Sequence, residues 1–74
     1  RHHGVQSGID SLAERELQVY TLIGEGLTAG EIAEQLKISP KTVQTHREHI
    51  KEKLGLKTSA ELNHSAWTWC RKQE

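Results

Sequence analysis

Seventy-four residues bound this chain to one small domain, near the size at which a hydrophobic core alone supplies only a few kcal/mol. Apolar residues make up 34% and charged residues 27%, the balance of a soluble helical domain; no apolar run approaches membrane-spanning length, no signal-peptide pattern starts the chain, and a cytoplasmic location is expected by default. Ten basic against ten acidic residues give zero net charge, and the single cysteine, Cys70, excludes an intrachain disulfide and makes a poor metal site without a partner cysteine or acidic cluster.

The segment from Arg1 to about Gly8 has no apolar periodicity and reads as a linker or expression remnant, with His2 and His3 a tail rather than a metal site. Residues 9–74 form the domain proper, for which four helices are expected. The first starts near Ser11 or Ala13, with Ser11 and Glu14 offering a capping box, and runs through Gly24. The second covers about Ala29–Leu36. Thr28 caps it, and Glu31 reaches back to complete a capping box. The third covers about Pro40–Leu54: Ser39 is the cap and Pro40 takes the first helical position, where its missing N–H costs nothing. Gly55 stops it, with Lys51 and Lys53 favourably placed on the helix dipole. The fourth opens at Thr58, again boxed by a Glu three residues on, Glu61, and continues to about Arg71.

Only Lys37 and Ile38 separate Leu36 from Ser39, so the second and third helices meet at a steep angle. Ile38 plugs the corner, and Ala33 is small enough to let Val43 approach. Leu17, Tyr20, Ile23, Leu27, Ile32, Leu36, Ile38, Val43, Ile50, Leu54, Leu56 and Leu62 are the expected core. Trp67 and Trp69 point roughly 200° apart on a helix, so one packs on the domain and the other is exposed.

Charge is unevenly distributed despite its zero sum. Residues 9–36 carry six acids and one base; residues 37–57 carry six bases and two acids. A basic half centred on the third helix is the electrostatic footprint expected where phosphates sit.

The run from Leu12 to Leu56 resembles the C-terminal DNA-binding domain of LuxR-type regulators, the NarL/FixJ response-regulator group included. The matching elements are Arg15-Glu16, Val19, Leu22-Ile23, Gly26-Leu27, Glu31-Ile32-Ala33, Leu36, Ile38-Ser39, Thr42-Val43, His46, Ile50 and Lys53-Leu54-Gly55, with Ala60-Glu61-Leu62 beyond. The likeness extends from about residue 10 to about residue 66. It implies an all-α, four-helix bundle-like domain containing a helix-turn-helix, whose third helix enters the major groove.

Gln44, Thr45, Arg47 and Glu48 project from the exposed side of the third helix and are the expected base contacts; the resemblance points chiefly to Gln44, Thr45 and Glu48. The family frequently has Lys where Gln44 stands, and a basic or amide residue where Glu48 stands. Gln favours adenine N6/N7, and Glu can only accept, as from cytosine N4. Glu48 either reads a base or pairs with a neighbour such as Lys51.

Thr28, Lys37, Ser39, Lys41 and Thr42 cluster at two helix N-termini, where hydroxyls, ammonium groups and free N–H donors favour phosphate. His46 stands where the family commonly has His and serves either as an anchor of the third helix or as a phosphate contact. Lys51 or Lys53 reaches a further phosphate, Lys51 being the one assigned. The resemblance also implies a weak homodimer through the fourth helix, favoured on DNA, for which Leu62, Ser65, Ala66 and Trp69 form the expected stripe. An N-terminal receiver or sensory domain is the implied remainder of the parent, and RNA polymerase a further partner.

No catalytic residue, cofactor or metal is expected. His46 and His49 lack a nucleophile in a plausible relation, and the chain has neither H-E-x-x-H nor a Gly-rich phosphate loop after a strand. Sequence-specific binding of double-stranded DNA, as the output domain of a bacterial transcription regulator, is the expected function. The competing reading is a protein-interaction module on a helix-turn-helix scaffold that has lost DNA binding. Zero net charge, Glu48 and the missing Lys at position 44 favour that alternative.

Overall fold

Residues 5–73 are described in a computed structural model, with side-chain surroundings described from residue 8 onward. Every regular element among them is a helix: α1 (Val5–Asp10), α2 (Glu14–Gly24), α3 (Ala29–Leu36), α4 (Pro40–Leu54) and α5 (Ser59–Lys72). The four expected helices are α2 to α5. The short helix α1 is an addition, and it corrects the expectation of an irregular segment as far as Gly8. It packs on α4 and buries Ile9 to 8% exposure, a contact that six residues of sequence are too few to announce. The expectation for His2 and His3 lies outside the described residues.

Ser11 does not cap α2. Its hydroxyl donates to Gly8 O at 2.6 Å, so it ends α1 instead. The residue before α2 is Ala13, whose N–H donates to the Glu16 carboxylate at 2.9 Å, and no hydroxyl completes the box. Thr28, Ser39 and Thr58 cap α3, α4 and α5 as expected, each side chain accepting from the backbone N–H three residues on.

Three helices end in one way. Past α2, α3 and α4 the chain turns through a left-handed residue: Gly26 (φ 94°), Lys37 (φ 59°) and Gly55 (φ 71°). In each case the next N–H reaches back five residues, from Leu27 to Leu22 O (3.2 Å), from Ile38 to Ala33 O (3.0 Å) and from Leu56 to Lys51 O (2.8 Å). At Lys37 this closure makes the corner between α3 and α4, and Ile38 packs against the core inside it.

The core is Ile9, Val19, Tyr20, Leu22, Ile23, Ile32, Ala33, Val43, Ile50, Leu62 and Ala66. Leu17, Leu27, Leu36, Ile38, Leu54 and Leu56, expected inside, pack at its margin. α2 is the hub, lying against α3, α4 and α5. Gly24 sets its distance from α5, since a Cβ there would lie 2.5 Å from Ala66 O.

Candidate nucleic-acid interface

Val43 and Ile50 are fully buried, which fixes the rotation of α4 about its axis. At roughly 100° per residue, Lys41, Thr45 and Glu48 then face outward, with Gln44 beside them. All four are exposed. Their side chains are held locally. The Gln44 amide donates to Glu48 Oε2 at 3.2 Å, and Lys51 Nζ lies 3.0 Å from the same oxygen. The hydrogen bond from Lys51, joined by that from Gln44 and the charge of Arg47, holds the Glu48 carboxyl below the usual carboxylate range. Of the two roles open to Glu48, pairing with Lys51 is the one seen in the free domain. The Thr45 hydroxyl donates back to Lys41 O at 3.2 Å.

Arg47 stands apart from this row. Four residues on from buried Val43 means about 40° of rotation, so Arg47 lies half-buried on the flank of α4, facing a groove toward α5. Sequence spacing alone gave it the same outward aspect as Gln44 and Glu48; the burial of Val43 corrects that.

At the two helix starts, Thr28 Oγ1 accepts from Glu31 N at 3.2 Å, and Ser39 Oγ accepts from Thr42 N at 3.1 Å. The Ser39 and Thr42 hydroxyls also meet at 2.9 Å. Lys37 and Lys41 are exposed beside them. His46 is half-buried, and its Nδ1 is enclosed without a hydrogen-bond partner among the described residues, which places the ring against the domain rather than free in solvent.

Lys53, one of the two candidates for a distal phosphate, is committed to the fold. Its Nζ donates to Glu16 Oε1 at 2.7 Å and to Ser11 O at 3.2 Å. Glu16 is a buried charged residue, 6% exposed, that sequence reading assigned no role; His49 Nδ1 lies 3.5 Å from its other oxygen. Burial pushes the Glu16 carboxyl up, but the hydrogen bonds from Lys53 and Ala13 N–H and the nearby charges outweigh it, holding the group below its ordinary value. Lys51, the other candidate, has a side chain only 15% exposed and is paired with Glu48.

Two residues of the expected dimer stripe, Leu62 and Ala66, are corrected. Leu62 and Ala66 are 0% exposed, closed within the domain's own core, and offer no surface to a second chain. Ser65 meets the buried Tyr20 hydroxyl at 2.6 Å, and Trp69 packs on the Tyr20 ring with centroids 5.5 Å apart. The exposed tryptophan is Trp67.

No helix among the described residues is long and apolar enough to cross a membrane. Residues 10–66 match the family model for bacterial regulatory proteins of the luxR family. The response regulator UvrY of Escherichia coli strain K12 is 44% identical over 61 residues, covering 82% of this chain and 28% of that protein. The oxygen regulatory protein NreC of Staphylococcus aureus strain JH9 is 51% identical over 51 residues, covering 69% of this chain and 24% of that protein. The chain thus spans about a quarter of the length of these relatives. With a capped helix-turn-helix, an exposed polar row on its second helix and a family match across most of its length, the chain belongs to the luxR family of bacterial regulatory proteins, as a helix-turn-helix module of DNA-binding transcription regulation.

Proposed function

We propose that the domain reads double-stranded DNA sequence-specifically as the output half of a two-component response regulator. The observation that carries this reading is the exposed row Lys41, Gln44, Thr45 and Glu48 on a helix locked in rotation by Val43 and Ile50. Glu48 takes one proton of the Gln44 amide. The second proton and the carbonyl remain for adenine N7 and N6, the bidentate pairing open to Gln. Thr45, with its hydroxyl turned to the backbone, leaves its methyl for a thymine methyl. Thr28, Lys37, Ser39, Lys41 and Thr42 hold phosphates on either side of the corner, and His46 steadies α4 behind them.

UvrY carries the name of a response regulator and NreC that of an oxygen regulatory protein, and this chain spans about a quarter of their length. A receiver domain preceding the described helices is therefore the proposed remainder of the parent, joined through the first residues. A weak homodimer through the exposed side of α5, formed on DNA, and contact with RNA polymerase complete the proposal.

Selection from a randomised duplex pool tests it. Gln44→Ala should change the preferred sequence, whereas Lys41→Ala should weaken binding to all sequences alike. With about four to six phosphate contacts per chain, affinity should fall with salt at a log–log slope of about −0.9 per contact. An unchanged selected sequence for Gln44→Ala removes that residue as a base reader. Absence of any salt-dependent duplex binding would favour the interaction-module reading, whose support is the zero net charge and the carboxylate of Glu48 on the exposed row.

A further inference from the structure

A concave surface runs between α4 and α5, beside the exposed row of α4. Arg47 and Gln44 stand on one wall, Asn63, His64 and Trp67 on the other, and the α2–α3 junction forms its floor. Among the described residues none of those lining it is a carboxylate, although ten of the 74 residues are acidic.

Arg47 is half-buried there and makes no ion pair or hydrogen bond among the described residues, unlike Lys51 and Lys53 on the same helix. Its charge acts on the Glu48 carboxylate, which is already bonded to Lys51 and Gln44, so the guanidinium donors remain open to a phosphate from outside. Trp67 is 51% exposed and held in place on both sides. The His64 ring stacks on it at 6.4 Å and 24°, and the Arg71 guanidinium lies 4.8 Å from its ring centroid.

A helix about 10–12 Å across fills a major groove about 12 Å wide, so each flank of α4 faces one phosphate strand when α4 is seated. One flank, at His49 and Lys53, is already closed by the Glu16 carboxylate. The other opens into the carboxylate-free groove. Gln44 borders both this groove and the base-reading row, which makes the two surfaces continuous.

We propose that this groove receives one sugar–phosphate strand of duplex DNA, with Arg47 and Asn63 as phosphate ligands and Trp67 as the wall against the deoxyribose. The inference rests on the DNA-binding reading above and adds α5 to the interface as a strand-holding element, leaving the pairing of two copies to the side of α5 that carries Glu61 and Thr68, turned away from this groove.

The test uses this chain and two labelled duplexes of unselected sequence, about 12 and about 30 base pairs long; the shorter cannot seat two recognition helices a turn of about 10 base pairs apart. Asn63 is exposed, so its substitution should leave the core intact, which a circular dichroism melt of each variant checks. Asn63→Lys should tighten binding to both duplexes about three- to tenfold at about 50 mM salt and steepen the log–log salt slope by about 0.9. Asn63→Asp should weaken both. Unlabelled duplex should change the Trp67 emission of the parent, and Trp67→Phe should abolish that change.

The groove is not a strand site if both Asn63 variants bind within about twofold of the parent while Lys41→Ala weakens binding. Effects confined to the longer duplex would make a second copy of this chain the occupant, and the proposal falls. A parent that binds neither duplex at low salt sinks the DNA-binding reading and this inference together.

Discussion

Glu16 joins α2 to α4 through one carboxylate. Its oxygens take Lys53 and His49 from α4 and the N–H of Ala13 at the start of α2. Because the folded carboxyl holds its proton less tightly than the unfolded one, its stabilisation is complete above about pH 4.5 and is lost as pH falls below that value. Glu16→Gln keeps an acceptor for Ala13 but not the ion pair, and should cost about 1–2 kcal/mol near pH 7. The gap to the parent should narrow on acidification in thermal melts; a gap independent of pH would separate Glu16 from the acid limb. Ser65 is the second decisive residue. Had it lain on a free interface, Ser65→Arg would alter pairing and leave the fold intact. Its hydroxyl instead satisfies the buried phenol of Tyr20, whose titration burial pushes upward. Ser65→Arg should therefore destabilise the domain by about 1–3 kcal/mol and weaken single and paired half-sites alike. A melt equal to the parent's would restore Ser65 to the surface.

At the scale of the element, helix punctuation acts over three to five residues and was legible in the chain. Thr28, Ser39-Pro40, Thr58 and Gly55 stand where the helices begin and end. Lys37 was not legible as a left-handed residue, because a lysine carries no preference for positive φ; the closure of α3 against α4 imposes it. That strain can be relieved. Lys37→Gly should stabilise the domain by about 1 kcal/mol while weakening duplex binding irrespective of sequence, since a phosphate-facing ammonium is removed. Calorimetry and duplex titration measure the two effects separately. A fall in stability would deny the strain, and unchanged binding would deny the phosphate contact.

The whole molecule is a charge-divided body, acidic in its first half and basic from Lys37 to Lys57. α4 carries most of the basic half and turns one side of it outward. Its pairing surface shrank once Leu62 and Ala66 proved to be core. One side of a single helix falls well short of the ~800 Å² per partner typical of stable complexes. The isolated chain should therefore sediment as a monomer at micromolar concentration, and a stable dimer in the absence of DNA would contradict this.

The sequence by itself determined the all-helical class, the bounds of α3, α4 and α5, the short corner at Ile38 and the family, because caps, stops and the 3.6-residue apolar period are local signals. The candidate interface was legible in part for the same reason: Gln44, Thr45, Lys41, Thr28, Ser39 and Thr42 sit at helix starts or along an exposed face. Only the tertiary structure decided which of the remaining candidates are spent inside the fold. Lys53 meets Glu16 across 37 residues and Ser65 meets Tyr20 across 45, separations at which no spacing rule operates. The same packing withdrew Leu62 and Ala66 from the surface, turned Arg47 toward α5 and recruited Ile9 through α1, since a helix's rotation is fixed by what it is packed against and not by its own residues alone.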